Sequence, residues 1–136
     1  MRSRNLVAWA AQLLAAGILA MASFMKLSGS ADSVQLFTTL GVEPWGRWAV
    51  GLTELTATVL LVRPRTAVIG GMVGLVLMIG AIAAHLFRLG IVYNGEPSLF
   101  VMALMVLAAS GVVVLLRRAG TPAGHATEMP GSRTPA

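Results

Sequence analysis

The sequence predicts an all-α, polytopic membrane protein: a four-transmembrane-helix bundle with both termini cytoplasmic. Three observations predict it. Hydrophobic residues make up 57% of the 136-residue chain and charged residues only 11%, against about 45–50% and about 25% in an average soluble domain. The apolar residues gather into four runs, most of them close to the roughly 20 residues that span a bilayer. Arginine pairs recur at one set of run ends (Arg2 and Arg4, Arg63 and Arg65, Arg117 and Arg118), while the other set holds Asp32, Glu43 and Glu96 with Lys26, Arg47 and Arg88. The positive-inside rule then puts both termini in the cytoplasm.

The first helix, about 5–27, follows Arg2 and Arg4 and contains Ala20-Met21-Ala22, a run that resembles a signal-peptide cleavage site. Its apolar stretch exceeds the usual core of about 7–15 residues, so it is read as an uncleaved transmembrane helix. The second, about 46–62, is the shortest and is interrupted by Glu54; Arg47 and Arg63 are expected to snorkel to the two surfaces, or the bilayer to thin around it. The third and fourth cover about 66–88 and 97–116. None of the four alternates polar with apolar residues, which excludes barrel strands. Small-residue spacings such as Gly70 to Gly74 and Gly80 to Ala84 predict that the third helix is central to the bundle or to an oligomer contact. In the outer loop 28–45, Asp32 or Ser33 is expected to cap a short interfacial helix bearing Val34, Leu36, Phe37 and Leu40, ended by Gly41 and Pro44 and lying as a lid over the outer mouth. Trp45 and Trp48 mark the outer interface and Trp9 the inner one. Residues 1–118 thus form one membrane domain, and 119–136, rich in Gly, Pro, Thr and Ser, a disordered cytoplasmic tail with a solvated His125.

Composition also excludes functions. With no cysteine there is no disulfide exchange, thiolate nucleophile or cysteine-ligated metal. No metal site, Walker loop, nucleophile triad or pair of haem histidines is visible. The net charge of +5 is spent at helix ends, where it sets topology, so nucleic acid is not an expected partner. Chemistry, if any, lies with Lys26, Glu54 and His85, because a charge at mid-membrane costs about 2.5–3.5 kcal/mol. Helical phase gives each a face: Gln12, Ala15, Leu19 and Ala22 with Lys26; Arg47, Gly51 and Thr58 with Glu54; Gly74, Met78 and Ala81 with His85. At about 1.5 Å per residue, Glu54 lies roughly 10 Å below Arg47 and His85 some way below Arg88, so all three belong to the outer half. Two readings stand. In one, the trio lines a shared pocket in which Glu54 exchanges protons, Lys26 holds its charge and His85 binds a ligand or relays a proton. In the other, Lys26 and Glu54 are a structural ion pair and His85 bonds a backbone carbonyl. Gln12, on the inner side, is expected to make an interhelical hydrogen bond.

The runs Lys26-Leu27-Ser28-Gly29, Leu40-Gly41-Val42-Glu43-Pro44, Gly51-Leu52-Thr53-Glu54-Leu55 and Gly80-Ala81 to His85-Leu86 together resemble the DoxX and DoxX-like membrane proteins over about 5–118. The resemblance implies a four-helix membrane bundle in a bacterial cytoplasmic (inner) membrane, with the family's polar positions at Lys26, Glu54 and His85. It further implies a link to quinol or thiosulfate oxidation with a quinone as acceptor, to oxidant defence, or to membrane assembly. Two function classes follow. One is an accessory subunit of a redox system with a quinone as ligand; the other is a non-enzymatic assembly or lipid-like-ligand-binding protein. Expected partners are membrane lipids and a redox protein or a second copy of the chain. A proton-coupled transporter ranks last, since dual-topology dimers need a weak charge bias.

Overall fold

A computed structural model describes residues 2–120. The chain runs through α1 (Arg2–Leu27), α2 (Ala31–Leu40), α3 (Trp45–Leu61), α4 (Ala67–Ala84) with a π-helical turn (His85–Leu89) at its end, and α5 (Ser98–Arg118). No strand occurs among the described residues, only an isolated bridge between Tyr93 and Glu96. The tail expected at 119–136, with His125, lies outside the described residues apart from Ala119 and Gly120, whose amides bond back to Leu115 and Arg117 and close α5.

The connections follow from local turn chemistry. Gly29 ends α1 with φ 72°, and the Ser30 amide bonds the Met25 carbonyl at 3.0 Å, a Schellman ending. Ser30 caps α2, its hydroxyl accepting from the Ser33 amide at 3.3 Å. The cap is therefore neither Asp32 nor Ser33: the chain leaves Gly29 already turned, so the helix begins sooner, and Asp32 occupies its first turn, where the dipole favours a carboxylate. Gly41 ends α2 in the left-handed region, as expected. Phe37 buries itself and Val34, Leu36 and Leu40 are half-buried, so α2 packs across the ends of α1, α3 and the π turn. A type I′ turn at Asn94-Gly95, with φ 53° and 79°, makes the α4 to α5 connection. Tyr93 and Glu96 exchange both backbone bonds across it, and Asn94 donates to the Gln35 side chain of α2.

The four long helices form a ring in the order α1, α3, α4, α5, with α5 returning to α1. Neighbours run antiparallel: Lys26 meets Glu54, Leu61 lies against Gly70, Gly71 against Ser110, and Arg4 against Leu116. The third span, α4, is therefore one corner of four and not central; it hardly touches α1 across the ring. Its glycines still serve close contact. A Cβ at Gly70 would lie 2.8 Å from the Leu61 amide nitrogen, and one at Gly74 2.6 Å from Ser110 Oγ, whereas one at Gly80 would meet nothing within 4 Å. Inside the ring, Ala15, Leu19, Ala57, Leu61, Val106 and Val113 fill the core with small and branched side chains. Outward-facing Leu13, Phe24, Leu52, Val59, Val76, Ile79, Val101 and Leu104 are exposed, an apolar belt that water would not tolerate on a soluble domain. Among the described residues, three helices, α1, α4 with its π turn and α5, are long and apolar enough to cross a membrane; α3, with 17 residues, is shorter.

Candidate functional site

Of Lys26, Glu54 and His85, the structure brings together the first two, with Lys26 Nζ 3.0 Å from Glu54 Oε1. Lys26 occupies the last turn of α1 and Glu54 the middle of α3. Their meeting depends on Gly51, one turn before Glu54. A Cβ there would sit 3.1 Å from the Lys26 Cβ and from the Leu27 side chain, so only glycine admits α1 this closely. The Lys26 side chain thus begins beside Gly51 and runs along α3 to Glu54, toward the middle of the bundle. Ser23 Oγ donates to the Gly51 carbonyl at 3.0 Å and pins the same contact.

Glu54 is 3% exposed. Its Oε1 accepts from Lys26, while its Oε2 is buried and accepts no hydrogen bond among the described residues. A buried, half-satisfied carboxylate is costly, since lost hydration is returned at one oxygen only. Thr58 does not relieve it: its hydroxyl bonds the Glu54 backbone carbonyl at 2.8 Å, in the helix's own ladder.

Arg47 closes the outer end of this seam. Its Nε donates to both Glu43 carboxylate oxygens, at 2.8 and 3.0 Å, and its Nη1 donates to the Lys26 carbonyl, capping α1. It therefore holds the backbone of Lys26, and its own charge is answered by Glu43.

His85 stands apart. Its Nδ1 donates to the Gly90 carbonyl at 2.9 Å, while the Gly90 amide bonds the His85 carbonyl at 2.7 Å, so the two residues close the π turn reciprocally. The ring is buried and packs edge-on to Phe100, with centroids 5.7 Å apart. No hydrogen bond or ion pair links it to Lys26 or Glu54 among the described residues. Met78 belongs to the apolar core, and Arg88 is exposed on the π turn. Two clefts of the molecule, one on the α3 and α4 face beside Thr53 and Val76 and one at the end carrying the termini, are lined by none of Lys26, Glu54 and His85.

On the opposite side of the core, Gln12 is fully buried, donates to the Leu61 carbonyl at 2.6 Å and accepts from Arg117 Nε at 2.6 Å. The expected interhelical bond is there, and it caps the last carbonyl of α3. Ser23 and the buried Ser110 hydroxyl were not singled out from sequence; each lies on a face of small residues where a hydroxyl carries no distinctive signal.

An antiparallel ring of apolar-faced helices, joined by the Lys26–Glu54 ion pair and closed by capped polar ends, defines the class: a small helical integral membrane protein. A model of the DoxX-like family matches residues 10–113, from the first helix to the fifth. The chain belongs to the DoxX-like family. Comparison with curated proteins and with solved structures found no match.

Proposed function

We propose that this protein is an accessory membrane subunit of a quinone-linked or oxidant-defence redox system, with the Lys26–Glu54 pair as its polar intramembrane site. The observation that carries the reading is the unpartnered Oε2 of Glu54. A buried acceptor beside a lysine with spare N–H groups suits a redox couple whose reduced form presents a hydroxyl and whose oxidised form presents a carbonyl oxygen. A quinone and its quinol are such a couple. When bound, the pair of forms supplies two-electron, two-proton redox chemistry. Glu54 Oε2 would accept from the quinol hydroxyl, and Lys26 would donate to the quinone carbonyl oxygen. His85, with Nδ1 engaged by Gly90, would offer only Nε2.

The same proposal has α3 crossing the membrane as a fourth span, with both termini in the cytoplasm of a bacterial inner membrane. Leu52, Leu55 and Val59 on its outward face are exposed, and its outer end meets the end of α1 through Arg47, while its inner end meets α1 at Gln12. Six arginines and, among the described residues, no acidic one mark the end that carries the described termini. Its partners are membrane lipids and a redox protein or a second copy of the chain.

A second reading, an assembly factor with no ligand of its own, draws support from the tight packing around Gly51. Titrating the purified protein with a water-soluble quinol separates the two. Saturable binding that Glu54→Gln weakens while the melting temperature holds supports the site; no binding by the folded wild type rejects it in favour of the assembly role.

A further inference from the structure

At the end carrying the described termini, a cleft of about 640 Å³ opens between the start of α1, the α3 to α4 connection and the end of α5. Its rim holds Arg4, Arg65 and Arg117, and its walls are Ala8, Val68 and Leu116. The four acidic residues among those described, Asp32, Glu43, Glu54 and Glu96, all belong to other parts of the molecule, so no carboxylate among them lines it. Two of the arginines are held in place: Arg4 donates to the Leu116 carbonyl at 2.9 Å, and Arg117 is fixed by Gln12 and Asn5. Arg65 makes no hydrogen bond or ion pair with the described residues, and its guanidinium keeps all its donors.

We infer that this cleft binds a phosphate-bearing anion, presented as the head group of an acidic membrane lipid. Arg65 presents its whole planar fork of donors to phosphate oxygens, Arg4 its remaining ones, and Arg117, held by Gln12 and Asn5, adds positive charge. Such basic pockets between membrane helices take up phosphorylated lipid head groups. The apolar walls select the source, because Val68 and Leu116 offer an acyl chain or glycerol backbone contacts that inorganic phosphate cannot use. The inference is independent of the Lys26–Glu54 reading, since the cleft lies at the other end of α1 and α3.

The test uses the full chain in detergent, titrated with phosphatidylglycerol, phosphatidylcholine and inorganic phosphate, with bound molecules counted by native mass spectrometry. Phosphatidylglycerol should bind at one tight site, and Arg65→Gln should weaken it about fivefold, the loss of one arginine contact with an anionic head group. Arg63→Gln removes the same charge from the same connection but lies outside the cleft, and should leave that affinity unchanged. Melting temperatures of both variants should match the wild type, because neither side chain supports the fold. Equal weakening by the two variants, or phosphatidylcholine binding as tightly as phosphatidylglycerol, would overturn the site. Inorganic phosphate displacing the lipid at equal concentration would uphold the anion site and overturn the lipid as its source.

Discussion

Lys26 reaches Glu54 by running toward the middle of the bundle: its Cβ lies beside Gly51 and its amine one turn deeper on α3, 3.0 Å from the carboxylate. A lysine near the end of a membrane helix ordinarily snorkels outward to water. Here it turns the other way, and the Glu54 charge compensates it. The residue that makes this geometry accessible is the glycine between them.

Gly51→Val should therefore lower stability by about 1–3 kcal/mol, the usual cost of overpacking a tight contact. The expected result is a lower melting temperature in detergent. An unchanged melting temperature would mean that α1 and α3 can separate at this point without loss.

Two glycines of α4 make a sharper comparison. Gly70→Ala forces a Cβ to within 2.8 Å of the Leu61 amide nitrogen, a backbone atom that cannot rotate away, while Gly80→Ala meets nothing. The first should destabilise the bundle; the second should stabilise it by about 0.5–1 kcal/mol through lost unfolded-state freedom. Thermal melts of the pair check the order, and equal shifts would contradict the ring packing.

Much of this arrangement was legible in the sequence because it follows from helical phase and from charge. The long apolar helices and the arginine end come from run length and the placement of charge, and the meeting of Lys26 with Glu54 from spacing at about 3.6 residues per turn. What was not legible depends on backbone that leaves that period. His85 shares a helical face with Met78 and Gly74 and is buried with them, but the π turn that follows it, which brings the Gly90 carbonyl to its Nδ1, has no sign in the α-helical period. Gly70, Gly74 and Gly80 look alike in sequence, yet only the first two sit where another helix passes. Arg47 shares the Glu54 face as well, but Glu43, four residues earlier and outside α3, claims it first.

From the His85 geometry, His85→Ala should cost about 1–3 kcal/mol, since it removes a buried ring and the hydrogen bond that closes the π turn on Gly90. His85→Asn, whose amide can donate in place of Nδ1, should recover part of that loss. Melting temperatures of the two variants decide it: no rescue by asparagine would mean that the ring's packing on Phe100, and not its hydrogen bond, carries the contribution.

Gln12→Ala breaks two buried hydrogen bonds at once and leaves the last carbonyl of α3 and Arg117 Nε each short of a partner. A loss of about 2–4 kcal/mol is expected. Arg117→Gln added to it should cost little more, and a fully additive double variant would show that the two side chains do not act together.

The pairing of Lys26 with Glu54 is tested most directly by a double-mutant cycle on the unfolding free energy, using Lys26→Met, Glu54→Gln and the two combined. Each single change leaves one polar partner buried without the other, so each should be strongly destabilising. The combined variant should lie closer to the wild type than the sum of the singles, with a coupling of roughly 0.5–3 kcal/mol. Additivity to within about 0.3 kcal/mol would contradict the pair as a unit.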